Sequence, residues 1–240
     1  MKDSPGIYHT NDLHGCMDDR AADRIRDLSG RDLSLLLDGG DAVSAGNIGM
    51  RPGGEPVLRR MTDLGYAAMA MGNREFHPFP GVMRLKLACA GFPVLCANLV
   101  EPEGLPRICR TCLEVNAGGC RVGVTGIGPD MIRGFTAEHI SPFRFIPVKK
   151  ALQRATERLK DETDMLILLS HQGMEQDVRL AEEMKIFDII IGGHSHHILP
   201  EGVTVGNTLV AQAGHGAEYL GRIVKSGGRW RSELLELRDR

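Results

Sequence analysis

Seven side chains in this sequence have the types and spacing of a metal centre: Asp12 and His14, Asp41, Asn73, His171, and His194 with His196. The last pair follows an apolar run, Ile189-Ile190-Ile191, and two glycines, Gly192 and Gly193. Two residues apart on an extended segment, both imidazoles project to one side. Asp12 and His14 repeat that spacing. All seven are oxygen or nitrogen donors, more than a single four-coordinate site takes, so the set fits two ions sharing a bridging carboxylate. Two such ions hold a hydroxide between them near neutral pH and clamp a phosphoryl group for in-line attack, which is hydrolytic chemistry. Taken singly, an Asp or Asn after a strand is usually a turn residue or a helix cap. Recurrence at successive strand ends, beside glycines, is what points to a site.

The elements that must position these residues read as alternating strands and helices. Strands are predicted over 7–10, 33–37, 66–71, 94–97, 165–169 and 187–191, most of them uniformly apolar, as in a sheet covered on both faces. Amphipathic helices are predicted over 17–28, 55–64, 81–90, 148–163 and 174–185, with Gly30 ending the first. Segments 108–115 and 120–126 flank Asn116-Ala117-Gly118-Gly119, a hairpin signal, so an antiparallel pair joins a parallel pattern and the sheet is mixed. Residues 128–146 are expected to be a long loop bordering the cleft. The tail reads as strands over 208–224 and 229–237 with a Gly227-Gly228 turn. In open α/β sheets, sites lie beyond the carboxyl ends of the strands, where the polar residues fall here.

The 240 residues are 42% hydrophobic and 25% charged, enough for one sizeable core, and residues 1–240 are expected to form a single catalytic domain. A net charge of -2 with interleaved signs gives no electrostatic case for a nucleic acid polymer or an anionic membrane. No stretch approaches transmembrane length, and the first residues lack the apolar core of a secretory signal, so a cytoplasmic location is expected. Six cysteines agree with a reducing compartment. Cys109, Cys112 and Cys120 lack a fourth ligand for zinc and read better as part of the hairpin. His9 reads as a strand residue near the core, His139 as a loop residue and His197 as an outer or surface group.

The ordered motifs Asp12-Leu13-His14, Gly40-Asp41, Gly72-Asn73-Arg74-Glu75, Ser170-His171-Gln172-Gly173 and Gly193-His194-Ser195-His196 resemble those of the calcineurin-like binuclear metallophosphoesterases. His9-Thr10-Asn11-Asp12-Leu13-His14-Gly15, and Gln212-Ala213-Gly214 through Tyr219-Leu220-Gly221, are similar to the branch that contains the 5′-nucleotidases. The resemblance implies an α/β fold, a four-layer α/β/β/α sandwich of two mixed sheets flanked by helices. It implies one ion on Asp12, His14, Asp41 and His196, with Asp41 bridging to a second on Asn73, His171 and His194. The two divalent ions are expected to be manganese, iron or zinc.

Two departures matter. The family's third motif is normally Gly-Asn-His-Glu, often followed by Phe-Asp, whose His and Asp assist the leaving group; those positions here are Arg74 and His77. Arginine stays protonated and binds anionic oxygens but is a poor general acid. Arg74 is therefore expected to bind phosphate, with His77, or His215 in the glycine-rich tail, protonating the leaving group. The bland alternative for His77 is a turn cap before Pro78. Asn73 counts with Arg74 and His77 as a candidate catalytic residue, and His215 with Arg74 as a substrate contact. The second departure is length: the 5′-nucleotidases resembled here carry a C-terminal domain that grips the nucleoside, often behind a signal peptide, and these 240 residues are expected to have room for neither, so nucleotide specificity is not expected to carry over by name.

The leading expectation is a metal-dependent hydrolase of a small phosphomonoester, a cyclic phosphodiester or a nucleotide. The alternatives are a hydrolase of another tetrahedral anion, such as a sulfur-linked sulfate, and a metal-retaining, catalytically silent binding protein.

Overall fold

The structure, a computed structural model, describes residues 5–30, 34–132 and 140–238. The chain begins β1 (Ile7–Thr10), α1 (Asp19–Ser29), β2 (Leu35–Asp38), α2 (Pro56–Asp63), β3 (Ala68–Ala70), α3 (Pro80–Leu87) and β4 (Val94–Leu95). Next come β5 (Leu99–Val100), β6 (Cys112–Ala117), β7 (Cys120–Ile127), β8 (Arg144–Phe145), α4 (Val148–Thr156), α5 (Leu159–Glu162) and β9 (Met165–Ser170). It ends with α6 (Met174–Met184), β10 (Ile189–Gly192), β11 (Val203–Val205), β12 (Thr208–Ala211), β13 (Tyr219–Ser226) and β14 (Arg229–Glu236).

These strands form two six-stranded sheets, β14-β13-β1-β2-β3-β4 and β11-β12-β10-β9-β7-β6, plus a small β5-β8 pair. In the first, β1 to β4 run parallel and β13 and β14 continue antiparallel from β1. In the second, β7, β9, β10 and β12 are parallel, with β6 and β11 antiparallel at the edges. Both sheets are mixed, as expected.

Side-chain alternation along the strands sorts the apolar residues into layers. Tyr8, Leu36 and Met69 pack outward with Ile25 of α1, Leu58 of α2 and Met83 of α3. Their neighbours Ile7, Leu35, Leu37, Ala68 and Ala70 point inward, against Val122, Val124, Ile167, Leu169, Ile189 and Ile191 of the second sheet. On its far face Leu166, Leu168, Ile190 and Val210 pack on Leu152, Leu159 and Leu180 of α4, α5 and α6. The result is the α/β/β/α sandwich. A fully buried aliphatic side chain contributes about 1.5–3 kcal/mol, and the layer between the sheets is built almost wholly of them.

Local signals act where the sequence placed them. Asp18 caps α1 by accepting from Ala21 N, Gly30 ends that helix, and the β6–β7 turn takes both Gly118 and Gly119 into left-handed backbone, at φ 58° and 76°. Four readings need correction. The helix expected over 148–163 is broken into α4 and α5, with Glu157 and Arg158 between them. The strand expected over 208–224 is two strands in different sheets, β12 and β13. A further hairpin, β11–β12, turns at Gly206. The loop expected over 128–146 ends in β8, which pairs with β5. His139 and the start of the strand read from residue 33 lie outside the described residues.

Candidate metal centre

The carboxyl ends of β1, β2, β3, β9 and β10 meet at one edge of the sandwich, where the backbone abandons ordinary conformations. Asp12, His14, Asp41, His194 and His196 all take left-handed φ between 49° and 73°. That region is sparsely populated by non-glycine residues, and each such residue costs on the order of 1–3 kcal/mol unless its surroundings enforce it. Here they do. Asp12 N donates to Gly40 O at 2.8 Å, His14 N to Asp41 O at 3.0 Å, and His194 N to Asp12 Oδ2 at 2.9 Å. Close approach of the two sheets requires Gly193, because a Cβ there would lie 2.8 Å from both Gly39 O and His171 Nδ1.

Five of the seven candidate ligands, all but His194 and Asn73, fall into two groups around shared carboxylates. Asp12 Oδ1 lies 3.7 Å from His14 Nε2, 3.3 Å from His196 Nε2 and 3.9 Å from His171 Nε2. Asp41 divides its oxygens, with Oδ2 3.7 Å from His14 Nε2 and Oδ1 3.4 Å from His171 Nε2. Donor atoms of Asp12, His14 and His196 lie within 4.8 Å of one another, as do those of Asp12, Asp41 and His171. His194 stands beside the second group, its ring centre 5.2 Å from that of His171. Asn73 joins it through Oδ1, 3.0 Å from His194 Nδ1.

The donor chemistry fits divalent ions. His14 Nε2 and His171 Nε2 are buried without a hydrogen-bond partner, each aimed at both carboxylates. A buried unpaired nitrogen is costly, and an ion would satisfy it. His171 Nδ1 contacts Gly39 O at 2.8 Å, which fixes its ring as outer-shell bonds fix metal-ligating histidines. Without ions, protons hold the site together. The negative charge of the Asp12 and Asp41 carboxylates beside it raises His14 to a pKa of about 9. Burial opposes charge on His171, yet Asp41 and Asp12 outweigh it and raise this group to about 9 as well. Burial would raise Asp41, but His14 and His171 hold it well below the usual carboxylate range. Burial lowers His194 and His196.

Arg74 reaches the site twice: its backbone N donates to Asp41 Oδ1 at 2.7 Å and its Nε lies 3.6 Å from Asp41 Oδ2. His215 stacks on His196, ring centres 4.9 Å apart and 5° from parallel, and lies 6.4 Å from His14. The bonds of His77 lead elsewhere: Nδ1 accepts from Phe79 N at 3.1 Å, and the ring also bonds the backbone of Ile48. Burial lowers its pKa.

The residues that hold the ligands were not singled out from sequence. Glu75, fully buried, accepts from Asp41 N at 2.8 Å, Gly72 N at 2.9 Å and Val43 N at 3.1 Å, tying the loops after β2 and β3 together. Burial raises it to a pKa of about 7. Asn11 Nδ2 donates to Asp12 Oδ2 at 2.8 Å and Gly214 O at 2.7 Å, while Gln212 Oε1 accepts from Ser195 Oγ and His197 N at 3.2 and 3.1 Å. Glu75, two positions from Asn73, and Asn11, beside Asp12, were visible as polar neighbours of candidate ligands, but their partners were not, and Gln212 carried no such local signal.

Two layered mixed sheets, with oxygen and nitrogen donors gathered beyond the carboxyl ends of their strands, define an α/β/β/α class with a candidate metal site at one edge. Within that class the chain belongs to the calcineurin-like phosphoesterase family, whose profile matches residues 6–197. It is 28% identical over 262 residues to the trifunctional nucleotide phosphoesterase protein YfkN of Bacillus subtilis, covering 90% of this chain and 18% of that protein. It is 30% identical over 223 residues to the snake venom 5′-nucleotidase of Gloydius brevicauda, covering 82% of this chain and 37% of that one. The chain thus spans well under half the length of these relatives. The fold is shared with the sulfate thiohydrolase SoxB of Thermus thermophilus, at a TM-score of 0.82 and 18% identity over 98% of this chain and 57% of that one.

Proposed function

We propose that the protein is a metal-dependent hydrolase of small phosphate esters, a phosphomonoester, cyclic phosphodiester or nucleotide, working through two divalent ions. The observation that carries this reading is the pair of donor groups sharing Asp12 and Asp41, with two orphaned imidazole nitrogens aimed between them. Membership of a phosphoesterase family and likeness to nucleotide-cleaving relatives support it. Asp12, His14, Asp41 and His196 would hold one ion and Asn73, His171 and His194 the other, with Asp41 between them because its two oxygens face different histidines.

Manganese, iron or zinc held there would deliver a deprotonated water near neutral pH and neutralise phosphoryl charge. The remaining roles fall to the chain. Arg74, fixed against Asp41, binds the anionic oxygens of the ester, a task suited to a permanently charged planar fork. His215 would give a proton to the leaving oxygen, a role supported by its stacking on His196. His77 is the other donor the sequence offers, but its ring bonds to Phe79 and Ile48 suit a turn cap instead. A cytoplasmic location is part of the proposal, supported by six cysteines that are all free. Among the described residues no helix is long and apolar enough to cross a membrane.

The test is turnover of p-nitrophenyl phosphate and bis-p-nitrophenyl phosphate by metal-stripped protein reloaded with manganese. Activity that requires the ion establishes the hydrolase, and the preferred ester separates monoesterase from diesterase. Tight ion binding with no turnover of either ester would contradict the reading and favour a silent binding protein or a non-phosphate anion.

A further inference from the structure

Beside the candidate centre stands an exposed apolar edge that neither the core nor the ion ligands account for. Ile48 is 70% exposed and Phe79 47%. His77 joins them, bonding to the backbone of Ile48, accepting from Phe79 N, and placing its ring 5.6 Å from the Phe79 ring. The edge starts next to the centre: Ile48 follows Asn47, whose Oδ1 accepts from Asn73 Nδ2 at 2.9 Å.

The loop that carries Ile48 is fixed by buried charges. Lys86, with no exposed surface, reaches from α3 to donate Nζ to Gly46 O at 2.8 Å and to Asn47 O at 3.5 Å. Glu55, equally buried, accepts from the backbone of Ser44 and Ala45 and from the Ser44 hydroxyl at 2.8–3.2 Å. Ser44 O in turn accepts from Arg74 Nη1 at 3.2 Å. Burying an ammonium and a carboxylate is costly unless each is fully bonded. Scattered exposed apolar side chains need no explanation. Here two are grouped, and the loop holding one of them is locked to the same Arg74 and Asn73 that line the centre.

We propose that Ile48 and Phe79, joined by His77, form a subsite for the leaving group of the substrate, which is therefore a phosphate ester whose alcohol carries a planar apolar group. This rests on the phosphoesterase reading and names its substrate class. Small-molecule sites combine such apolar walls with a few fixed polar groups, and the asymmetry here places the charge recognition at Arg74 and the apolar recognition at the loop. His77 becomes a positioning residue for the wall.

The experiment compares 2-(1-naphthyl)ethyl phosphate with ethyl phosphate, which share a primary alkoxide leaving group and differ in the planar apolar part. Phe79→Ser and Ile48→Ser, both at exposed positions, are expected to raise KM for the naphthyl ester by about tenfold each and leave kcat/KM for ethyl phosphate within about twofold. Equal effects on the two esters, or none on either, overturn the subsite. In parallel, naphthyl fluorescence reads binding of the non-hydrolysable 2-(1-naphthyl)ethylphosphonate to the manganese-loaded protein. Binding weakened about tenfold in Phe79→Ser supports the subsite even where turnover fails. Unchanged binding overturns it even where turnover is high.

Discussion

The candidate centre has an inner wall and an outer one. Asp12, Asp41 and His171 are 0%, 3% and 0% exposed, packed under the loops that bridge the sheets. His14, His196 and Arg74 keep 17%, 39% and 29% of their side chains exposed, and His215 lies at the surface with them. The inner wall is held by backbone and by buried Glu75, and its charges are compensated before any ion arrives. The outer wall is held by few bonds and faces the side from which a substrate must come. Fixed charge and substrate access are thus divided between two sets of residues that share Asp41.

Breaking the inner wall should cost most. Asp41→Asn keeps the shape and removes the shared charge; turnover of p-nitrophenyl phosphate is expected to fall on the order of 10³-fold or more, measured at saturating manganese. Removing His215 from the outer wall should spare ion binding and fall on the chemistry. His215→Ala is expected to lower kcat for an alkyl phosphate by roughly 10²-fold and for p-nitrophenyl phosphate much less, because that leaving group needs no proton. Equal losses on the two esters would remove His215 from the acid role.

Glu75→Gln sharpens the contrast, since it touches only the frame. It should weaken manganese affinity by about 10–100-fold while kcat at saturating ion stays near the wild-type value. The smallest effect is on stability. In metal-free protein the folded pKa of His14 and His171 is raised to about 9, against an unfolded value of 6.5. Their contribution is fully present below about pH 6.5 and is lost as pH rises through 9. The Tm of metal-free protein should therefore fall across that window, and saturating manganese, which replaces those protons, should flatten the slope.

Much of this division could be read in the sequence. The order of strands and the positions of all seven candidate ligands follow from apolar runs that stop at Gly, Asp, Asn and His, a local signal. Elements without a period of their own were lost: β5 and β8 are two residues each, and their pairing is decided by distant chain. The break between α4 and α5 carries no Gly or Pro, and the sequence pattern runs through it unmarked. Glu75 and Gln212 were visible as residues, but their roles are long-range hydrogen bonds, 32 and 34 residues apart in sequence for Glu75 with Val43 and Asp41. The His77 ring shows the same limit: its chemistry was legible, its bonding partners were not.

The measurement that tests the central claim most directly is a manganese titration of metal-stripped protein followed by electron paramagnetic resonance. Two equivalents per chain, with the spectrum of a spin-coupled pair that Asp41→Asn abolishes, is the expected result. Binding of a single equivalent, or of two ions that remain magnetically isolated in the unaltered protein, would contradict a centre bridged by Asp41.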